Sequence, residues 1–169
     1  MGFIVLKQNK VEPGDYREAM SLFAGAVHVV TTDGTAGRRG TTVIAACSVS
    51  DNPPTVLVCL NRASITNDLF VQNGVFALNT LSSVQIDVSH AFSGLTGLSA
   101  DERFATAKWD TIETGAPTLV GALATFDCRI IEAKDVATHR ILFGKVTGLR
   151  VGQSTEPLIY HGRTYRALG

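Results

Sequence analysis

The chain has 169 residues, the length of a single domain, and 45% of them are hydrophobic against 18% charged. Its 15 Lys and Arg balance its 15 Asp and Glu, which excludes the positive field of a general nucleic-acid-binding protein. The apolar content and zero net charge exclude intrinsic disorder. We expect one domain over residues 1–169, with residues 1–14 as an N-terminal extension.

The spacing of the cysteines and the lengths of the apolar runs indicate the cellular compartment of the protein. The 3 cysteines, Cys47, Cys59 and Cys128, are spaced for neither a disulfide framework nor a zinc site. Cys47 and Cys59 stand within apolar runs, so both are expected to be buried. The first apolar run, residues 3–6, is too short for a signal peptide, and no run approaches the roughly 18 residues that span a membrane. We expect a cytoplasmic protein without a metal site and without a membrane or nucleic-acid partner.

The predicted elements alternate between strands and short helices. β-Branched and apolar runs predict strands over residues 27–32, 41–50, 55–60, 75–79, 123–132, 139–151 and 157–160. Apolar residues at helical spacing predict helices over residues 15–24, 64–74 and 84–92. Asp15 and Ser64 are the expected N-caps of the first two helices, and Gly74 is the expected end of the second. Residues 93–110 are predicted as a looser region.

The connections between these elements predict the architecture. The glycine-rich residues 33–40 indicate a hairpin between the first two strands, because glycine supplies the positive φ of such turns. Strands joined by short turns, with helices as excursions, favour a closed antiparallel barrel over a doubly wound parallel sheet. The expected fold class is mainly β with helical excursions.

Most motifs of self-sufficient catalysis are absent from the sequence. It contains no G-x-G-x-x-G, no P-loop, no H-E-x-x-H and no G-x-S-x-G. Asp87 and His90 share a predicted helix face but lack a third ligand at helical spacing. This pattern indicates either a borrowed cofactor or no catalysis.

Two segments have the features of a mononucleotide site. Residues 40–48 are mostly small, so a flat ligand could lie against the backbone and bond its amides. In residues 60–66 a strand ends and Arg62, Ser64 and Thr66 precede a helix, an arrangement that suits a phosphate. Alone, each segment has an ordinary alternative: small residues packed under a helix, or an N-cap beside a solvated arginine. Together, the two segments predict a pocket for a mononucleotide such as FMN.

Further motifs follow one another in order along nearly the whole chain, from Asp15 to Leu168. They are Phe23-Ala24-Gly25-Ala26-Val27, Asn52-Pro53-Pro54, Phe76-Ala77-Leu78-Asn79, Ala91-Phe92-Ser93-Gly94, Arg103-Phe104, Trp109 and Pro157-Leu158-Ile159-Tyr160-His161-Gly162. In order and spacing these motifs resemble the flavin reductase-like family of short-chain flavin:NAD(P)H reductases. Members of that family are reductase partners of two-component monooxygenases.

The resemblance implies an FMN-binding split β-barrel that forms a homodimer, binds FMN or FAD, and takes hydride from NADH or NADPH. No catalytic side chain is implied, since hydride passes directly between the two cofactors. Carried over by position, the implied flavin and nicotinamide contacts fall into four groups. Thr42, Val43, Ile44, Ala45, Ala46 and Cys47 would line the ring; Leu60, Asn61, Arg62, Ser64 and Thr66 would hold the ribityl chain and phosphate; Gly94 would close the pocket; His139 and Tyr160 would contact the nicotinamide.

Several alternatives remain open at this point. The chain could be a non-catalytic flavin carrier, an enzyme like pyridoxamine-phosphate oxidase, or a structural dimerisation domain. As a reductase, it could supply a monooxygenase, a corrinoid or a ferric complex. The sequence leaves FMN versus FAD and NADH versus NADPH undecided. Arg38-Arg39 is predicted to be a solvated turn.

Overall fold

A computed structural model describes residues 11–154 and 156–168. The described strands are β1 (Gly25–Ala26), β2 (His28–Thr32), β3 (Arg39–Val43), β4 (Ala46–Asp51), β5 (Pro54–Asn61), β6 (Val75–Thr80), β7 (Trp109–Asp110), β8 (Thr118–Leu119), β9 (Ala124–Val136), β10 (His139–Val151), β11 (Leu158–His161) and β12 (Thr164–Ala167). The α-helices are α1 (Pro13–Met20), α2 (Asp68–Asn73), α3 (Ile86–Phe92) and α4 (Ala100–Phe104). The prediction of a mainly β protein with helical excursions is confirmed.

One antiparallel sheet of 7 strands organises the described fold, in the order β3-β2-β6-β9-β10-β5-β4. The predicted hairpin between the first two strands is confirmed, because His28 pairs with Val43 at one end and Thr32 with Arg39 at the other. The hydrogen-bonded order begins at β3 and ends at β4, so the strand ladder does not itself close into the predicted ring. Residues 44–45 connect these two edge strands along the chain.

The prediction of one strand over residues 41–50 is wrong. The chain turns sharply at residues 44–45, where the Ala46 N–H donates to the Ile44 carbonyl at 3.0 Å. Before the turn β3 pairs with β2, and after it β4 pairs with β5. Local composition does not signal this break, because small and apolar residues continue through it.

Alternating side chains place a hydrophobic cluster on each face of the sheet. On β2, Val29 packs into a cluster with α3 and α4 that includes Phe92 and Phe104. Its neighbour Val30 points to the other face and packs with Phe76. Period-two alternation of side chains along a strand accounts for this division.

The first helix differs from its prediction. It begins at Pro13, with Glu12 at the N-cap position, and ends at Met20, so Asp15 lies in the first turn and does not cap the helix. Proline is favourable at the first helical position because it needs no N–H partner there. No residue of α1 is buried, and Phe23 just beyond it is 69% exposed. The apolar face of this segment is therefore not covered by the described part of its own chain.

The next two helices are close to prediction. Ser64 stands at the N-cap position of a 3₁₀ turn, Ile65–Asn67, that leads into α2, but its side chain makes no capping hydrogen bond. Gly74 ends α2 in the left-handed conformation, with φ of 72°, as expected. The helix predicted over residues 84–92 is α3, preceded by the 3₁₀ turn Ser83–Gln85.

The region predicted to be loose contains helix α4. Ser99 caps it and Glu102 completes a capping box, so the S-x-x-E pattern in the sequence was a usable signal. In the last third, β10 has the predicted bounds, β9 extends four residues beyond its predicted end, and β12 was missed.

Two of the cysteines are less buried than the sequence predicts. Cys47 is exposed on the edge strand β4 and Cys59 is half-buried, so the prediction that both are buried is wrong. An edge strand leaves one side of its backbone and its outer face uncovered.

Within residues 11–154 and 156–168, none of the helices has the length and apolar character needed to cross a membrane.

Candidate functional site

A cavity of about 390 Å³ opens where β3, the end of β5 and the end of α3 meet. This volume lies within the range typical of small-molecule sites. We call it the Arg39 cavity. Its lining residues are Arg39, Thr41, Thr42, Val43, Ile44, Ala45, Cys59, Leu60, Asn61, Ser64, Asn67, Phe92, Ser93, Gly94 and His139.

The structure brings most of the predicted flavin contacts to this one cavity. The predicted residues among its lining are Thr42, Val43, Ile44, Ala45, Leu60, Asn61, Ser64, Gly94 and His139. Thr66 lies outside the lining, but its hydroxyl is 3.1 Å from that of Ser64. Residues from four separate chain segments thus converge as the resemblance implied, although their roles remain predictions.

The aromatic ring of Phe92 lines the Arg39 cavity because Gly40 leaves room for it. A Cβ on Gly40 would lie 2.6 Å from Cε1 of Phe92, so only glycine allows this approach. Edge-to-face contacts hold Phe92, with its ring centroid 5.0 Å from that of Phe104 and 5.6 Å from that of Trp109. The ring is therefore a fixed part of the wall.

The strand β3, which also lines the cavity, offers backbone groups. β3 is the terminal strand of the sheet, so one side of its backbone has no partner strand in the described sheets. Such an edge presents N–H and C=O groups in a row. Ile44 and Ala45 are exposed at its end and contribute no polar side-chain atom. The polar groups along this edge are therefore main-chain groups.

The polar end of the cavity is built around Arg39. Its Nε donates to Oδ1 of the buried Asn67 at 3.3 Å, and its Nη2 donates to the Ser64 hydroxyl at 3.4 Å. Asn67 is held in turn by donating to the Asn61 carbonyl at 2.9 Å. Among the described residues, no carboxylate oxygen lies within 4.0 Å of the Arg39 guanidinium.

Burial, followed by the nearby charge of Arg103, lowers the pKa of Arg39. Desolvation and like-charge repulsion both disfavour the charged form. A half-buried guanidinium among hydroxyl and amide groups, with no carboxylate in contact, fits an anionic ligand. The prediction that Arg39 belongs to a solvated turn is wrong, since tertiary contact with the 3₁₀ turn after β5 covers it.

Arg62, the predicted phosphate residue, lies outside the Arg39 cavity. Its Nε is 3.4 Å from Oδ2 of Asp135, and its Nη1 donates to the Ala137 carbonyl at 3.0 Å. These contacts direct the side chain to the turn between β9 and β10. Hydrogen bonding to Arg140 and the charges of Arg140 and Arg62 lower the pKa of Asp135, so that carboxylate stays available to these arginines.

The two predicted nicotinamide contacts lie in different cavities. His139 lines the Arg39 cavity from the start of β10, and its Nδ1 is 2.9 Å from the Thr138 hydroxyl. Tyr160 lines a neighbouring cavity of about 520 Å³, together with Tyr165 and His90. We call this the Tyr160 cavity. The two cavities share Thr42, Val43, Ile44 and Ser93, so they lie side by side along β3.

Ala46 and Cys47, the last two predicted ring contacts, are not part of the Arg39 cavity. The turn at residues 44–45 carries them to two other cavities, of about 590 and 560 Å³, which they line together with His28. We call these the apolar cavities.

Six lining residues of the Arg39 cavity were not predicted from the sequence, namely Arg39, Thr41, Cys59, Asn67, Phe92 and Ser93. For Phe92 and Ser93 a signal existed, because they directly precede the predicted Gly94. Asn67 and Arg39 carried none, since their roles arise from packing between segments 28 residues apart.

In its chemistry, the Arg39 cavity combines a polar end built around an arginine with a region edged by the backbone of β3. Its lining contains no Asp or Glu side chain that could act as a general acid or base. Such a site suits a nucleotide-like ligand that brings its own reactivity.

The family model described as "Flavin reductase like domain" matches residues 20–169. The chain belongs to the flavin reductase-like family, and its class is that of the oxidoreductases.

Individual relatives agree with this assignment. The chain is 46% identical over 164 residues to the FMN reductase (NADH) RutF of Bradyrhizobium diazoefficiens, covering 97% of this chain and 90% of that protein. The solved structure of YcdH from Haemophilus somnus 129PT, assigned as a flavin reductase, is 42% identical with a TM-score of 0.89, covering 94% of this chain and 100% of that one. The styrene monooxygenase flavin reductase SMOB from Pseudomonas putida S12 is 28% identical with a TM-score of 0.79, covering 92% and 97%.

Proposed function

We propose that this flavin reductase oxidises NADH and reduces FMN bound in the Arg39 cavity. The observation that carries the proposal is the half-buried Arg39, which faces Ser64 and Asn67 at one end of a cavity whose other end is an exposed strand edge. The relative named FMN reductase (NADH) supports the choice of flavin and nicotinamide. FAD and NADPH are the alternatives to be measured beside them.

The residues of the Arg39 cavity fit the parts of a flavin mononucleotide. Arg39, Ser64 and Asn67 would hold the phosphate, with Thr66 orienting the Ser64 hydroxyl. Charge-assisted hydrogen bonds of this kind are about twice as strong as neutral ones. The edge of β3 would bond the ring with main-chain groups, in place of the polar side chains that Ile44 and Ala45 lack. Gly94, with φ of 81°, would let the chain turn over the pocket.

FMN held by the residues of the Arg39 cavity would supply the hydride-accepting chemistry of the reaction. The protein's contribution is to hold both rings and to exclude water, which Phe92 and Leu60 do from the buried side. Backbone N–H groups at the strand edge would stabilise negative charge that develops on the ring. Because the cofactors supply the chemistry and the protein holds them, the cavity needs no acid or base side chain.

We propose His139 and Tyr160 as contacts of the dinucleotide. His139 lies in the Arg39 cavity and Tyr160 in the Tyr160 cavity, which share one stretch of β3. A ligand as long as NADH could extend across this strand and reach both. Arg62 remains a proposed contact at the rim, where it would act as an exposed charge.

We further propose that the protein is a homodimer whose subunits are split β-barrels. The apolar cavities and the uncovered segment after α1 support this proposal, because Phe23 and Met20 line the cavity of about 560 Å³. Contiguous exposed apolar surface of this kind marks an association site. Light scattering that gave the mass of a monomer at micromolar concentration would refute it.

A monooxygenase component is the acceptor of reduced flavin that we propose, since the SMOB relative is the flavin reductase of such a system. A corrinoid or a ferric complex is the alternative acceptor. We propose the cytoplasm as the compartment, consistent with free Cys47, Cys59 and Cys128.

The test is an NAD(P)H oxidation assay at 340 nm with and without FMN and FAD. We expect turnover with NADH that depends on added or copurified flavin and is fastest with FMN. A yellow protein that does not oxidise NADH would be a flavin carrier, and a colourless, inactive one a structural domain. Flavin reduction by an amine in place of NADH would indicate an enzyme like pyridoxamine-phosphate oxidase.

A further inference from the structure

The Tyr160 cavity contains a cluster of three aromatic rings. The rings of Tyr160 and His90 pack edge-to-face on the ring of Tyr165, with centroid distances of 5.2 and 5.1 Å. The buried Ser89 on α3 donates its hydroxyl to the Tyr165 hydroxyl at 2.7 Å. All three rings line the cavity. They therefore give it a held aromatic surface against which a planar heterocycle can pack.

The same cavity contains one permanent charge. Among its described lining residues, Arg163 is the only one that is permanently charged. The Arg163 Nη2 lies 2.8 Å from Oε2 of Glu18 on α1, and the two side chains are 58% and 68% exposed. Glu18 itself does not line the cavity. Because exposed ion pairs of this kind are weak, an anionic ligand can take the place of Glu18.

The backbone at Arg163 is unfavourable for an arginine. Gly162 and Arg163 form the two-residue turn between β11 and β12, with φ of 58° and 61°, and His161 pairs with Thr164 across it. Turns with two positive φ values favour glycine, asparagine and aspartate, because other side chains are crowded there. Residues held in such conformations are concentrated at ligand-binding sites. The turn therefore indicates a role for the Arg163 side chain itself.

The position of the Tyr160 cavity relative to the Arg39 cavity suits the remote half of a dinucleotide. Hydride transfer requires the reacting atoms of the two rings to approach to roughly 3–3.5 Å, so the nicotinamide must lie beside the proposed flavin ring. The remainder of the dinucleotide must then extend into a neighbouring cavity. The Tyr160 cavity and the apolar cavity of about 560 Å³ both share residues with the Arg39 cavity. The described lining of that apolar cavity contains no Lys or Arg for the phosphates, whereas the Tyr160 cavity has Arg163.

We propose that the Tyr160 cavity binds the adenosine diphosphate half of NADH. The adenine would pack against the rings of Tyr160 and Tyr165, and the pyrophosphate would replace Glu18 at the Arg163 guanidinium. This inference rests on the proposed function of the Arg39 cavity. It gives the two members of one ion pair opposite effects, because Arg163 attracts the pyrophosphate and Glu18 competes with it. An ion pair that only supported the fold would show losses of the same sign from either side.

The experiment is calorimetric titration of FMN-saturated protein with ADP and with adenosine, at low ionic strength, together with competition by ADP against NADH. Bound FMN keeps ADP out of the Arg39 cavity. The proteins are the wild type, Arg163→Asn, Glu18→Gln and Arg166→Gln. Asparagine tolerates a positive φ, so Arg163→Asn removes the guanidinium without damage to the turn. Arg166 is exposed on β12 and does not line the Tyr160 cavity, so its variant is a control for net charge.

We expect ADP to compete with NADH in the wild type. Arg163→Asn should weaken ADP binding about five-fold, the scale of one partly exposed charge pair, and should leave adenosine binding unchanged. Glu18→Gln should tighten ADP binding about two-fold, because the competing carboxylate is lost. Arg166→Gln should keep the wild-type affinity for both ligands. The thermal midpoint of each variant reports whether the fold is intact.

Four outcomes would overturn the inference: equal losses of ADP and adenosine binding in Arg163→Asn, weaker ADP binding in Glu18→Gln, ADP binding that does not compete with NADH, or inorganic pyrophosphate binding as tightly as ADP. The last outcome would show a site for an anion only. In each case NADH oxidation by the wild type with FMN would still stand, so the proposed function would survive. A wild-type protein that binds ADP as expected but does not oxidise NADH would refute the proposed function and leave a site for an adenine nucleotide.

Discussion

Replacing Arg39 by Gln tests which arginine holds the phosphate. Arg39 lies in the cavity beside Ser64 and Asn67, whereas Arg62 is turned toward Asp135 and the Ala137 carbonyl. The two substitutions are matched, since each removes one guanidinium and both positions adjoin the segment that leads into α2. The two substitutions should therefore differ in their effects on flavin binding.

The magnitude follows from the contacts that Arg39 can make. One or two charge-assisted hydrogen bonds to a phosphate, at a half-buried position, contribute about 2–3 kcal/mol. Their loss should weaken FMN binding about 30- to 150-fold. Arg62 is 47% exposed in its side chain and already paired, so Arg62→Gln should cost less than about 1 kcal/mol, or roughly five-fold.

The assay is a fluorescence titration with FMN and with riboflavin, at constant pH and ionic strength. Riboflavin should bind Arg39→Gln and the wild type equally well, because it lacks the phosphate. A greater loss of FMN affinity in Arg62→Gln than in Arg39→Gln would refute the assignment of the phosphate to Arg39. A parallel loss of riboflavin binding would instead show that Arg39 only supports the fold.

Three further changes have defined outcomes. Gly40→Ala should lower the thermal midpoint by several degrees, on the scale of the roughly 1–3 kcal/mol cost of overpacking, since its Cβ would meet Phe92 at 2.6 Å; an unchanged melting curve would show that the ring can move. His139→Ala should raise the KM for NADH with little change in FMN affinity, and unaltered steady-state kinetics would remove His139 from the site. Burial lowers the pKa of His28 from 6.5 to about 4, so the folded state resists its protonation, and this stability is complete above pH 6.5 and lost as pH falls toward 4. Urea unfolding should show a loss of about 2 kcal/mol between pH 7 and pH 5 that His28→Gln largely abolishes; an equal loss in the variant would contradict this.

The strands were predictable where their periodicity reflected burial of one or both faces. β10 has the predicted bounds because its apolar alternation continues to both ends. The break at residues 44–45 was not predictable, because it is set by which neighbour each half pairs with, β2 before the turn and β5 after it. Pairing partners are a property of the whole sheet, and a local window of sequence does not contain them.

For the candidate site, the sequence predicted segments that the structure brings to one cavity, whereas the arginine that lines this cavity is Arg39 and not the predicted Arg62. Arg62 follows a strand and precedes a helix, which is where a phosphate residue is expected. The Arg62 side chain instead contacts Asp135, which lies on a strand more than seventy residues away in the sequence. Arg39 was read as a solvated turn because its partner Asn67 is equally invisible to local patterns. Long-range contacts therefore determine where the side chains of both arginines lie.

The turn at residues 44–45 would connect the proposed flavin site with the proposed dimer interface. Ile44, Ala45 and Cys59 line both the Arg39 cavity and the apolar cavity of about 560 Å³. A second subunit seated on that apolar surface would contact the same backbone that edges the proposed ring site. FMN and the second subunit would then both order residues 44–45, so each would favour the binding of the other. Thermodynamic linkage requires this coupling to be reciprocal. If the proposed dimer forms through this surface, FMN should therefore strengthen dimerisation by the same factor by which dimerisation strengthens FMN binding.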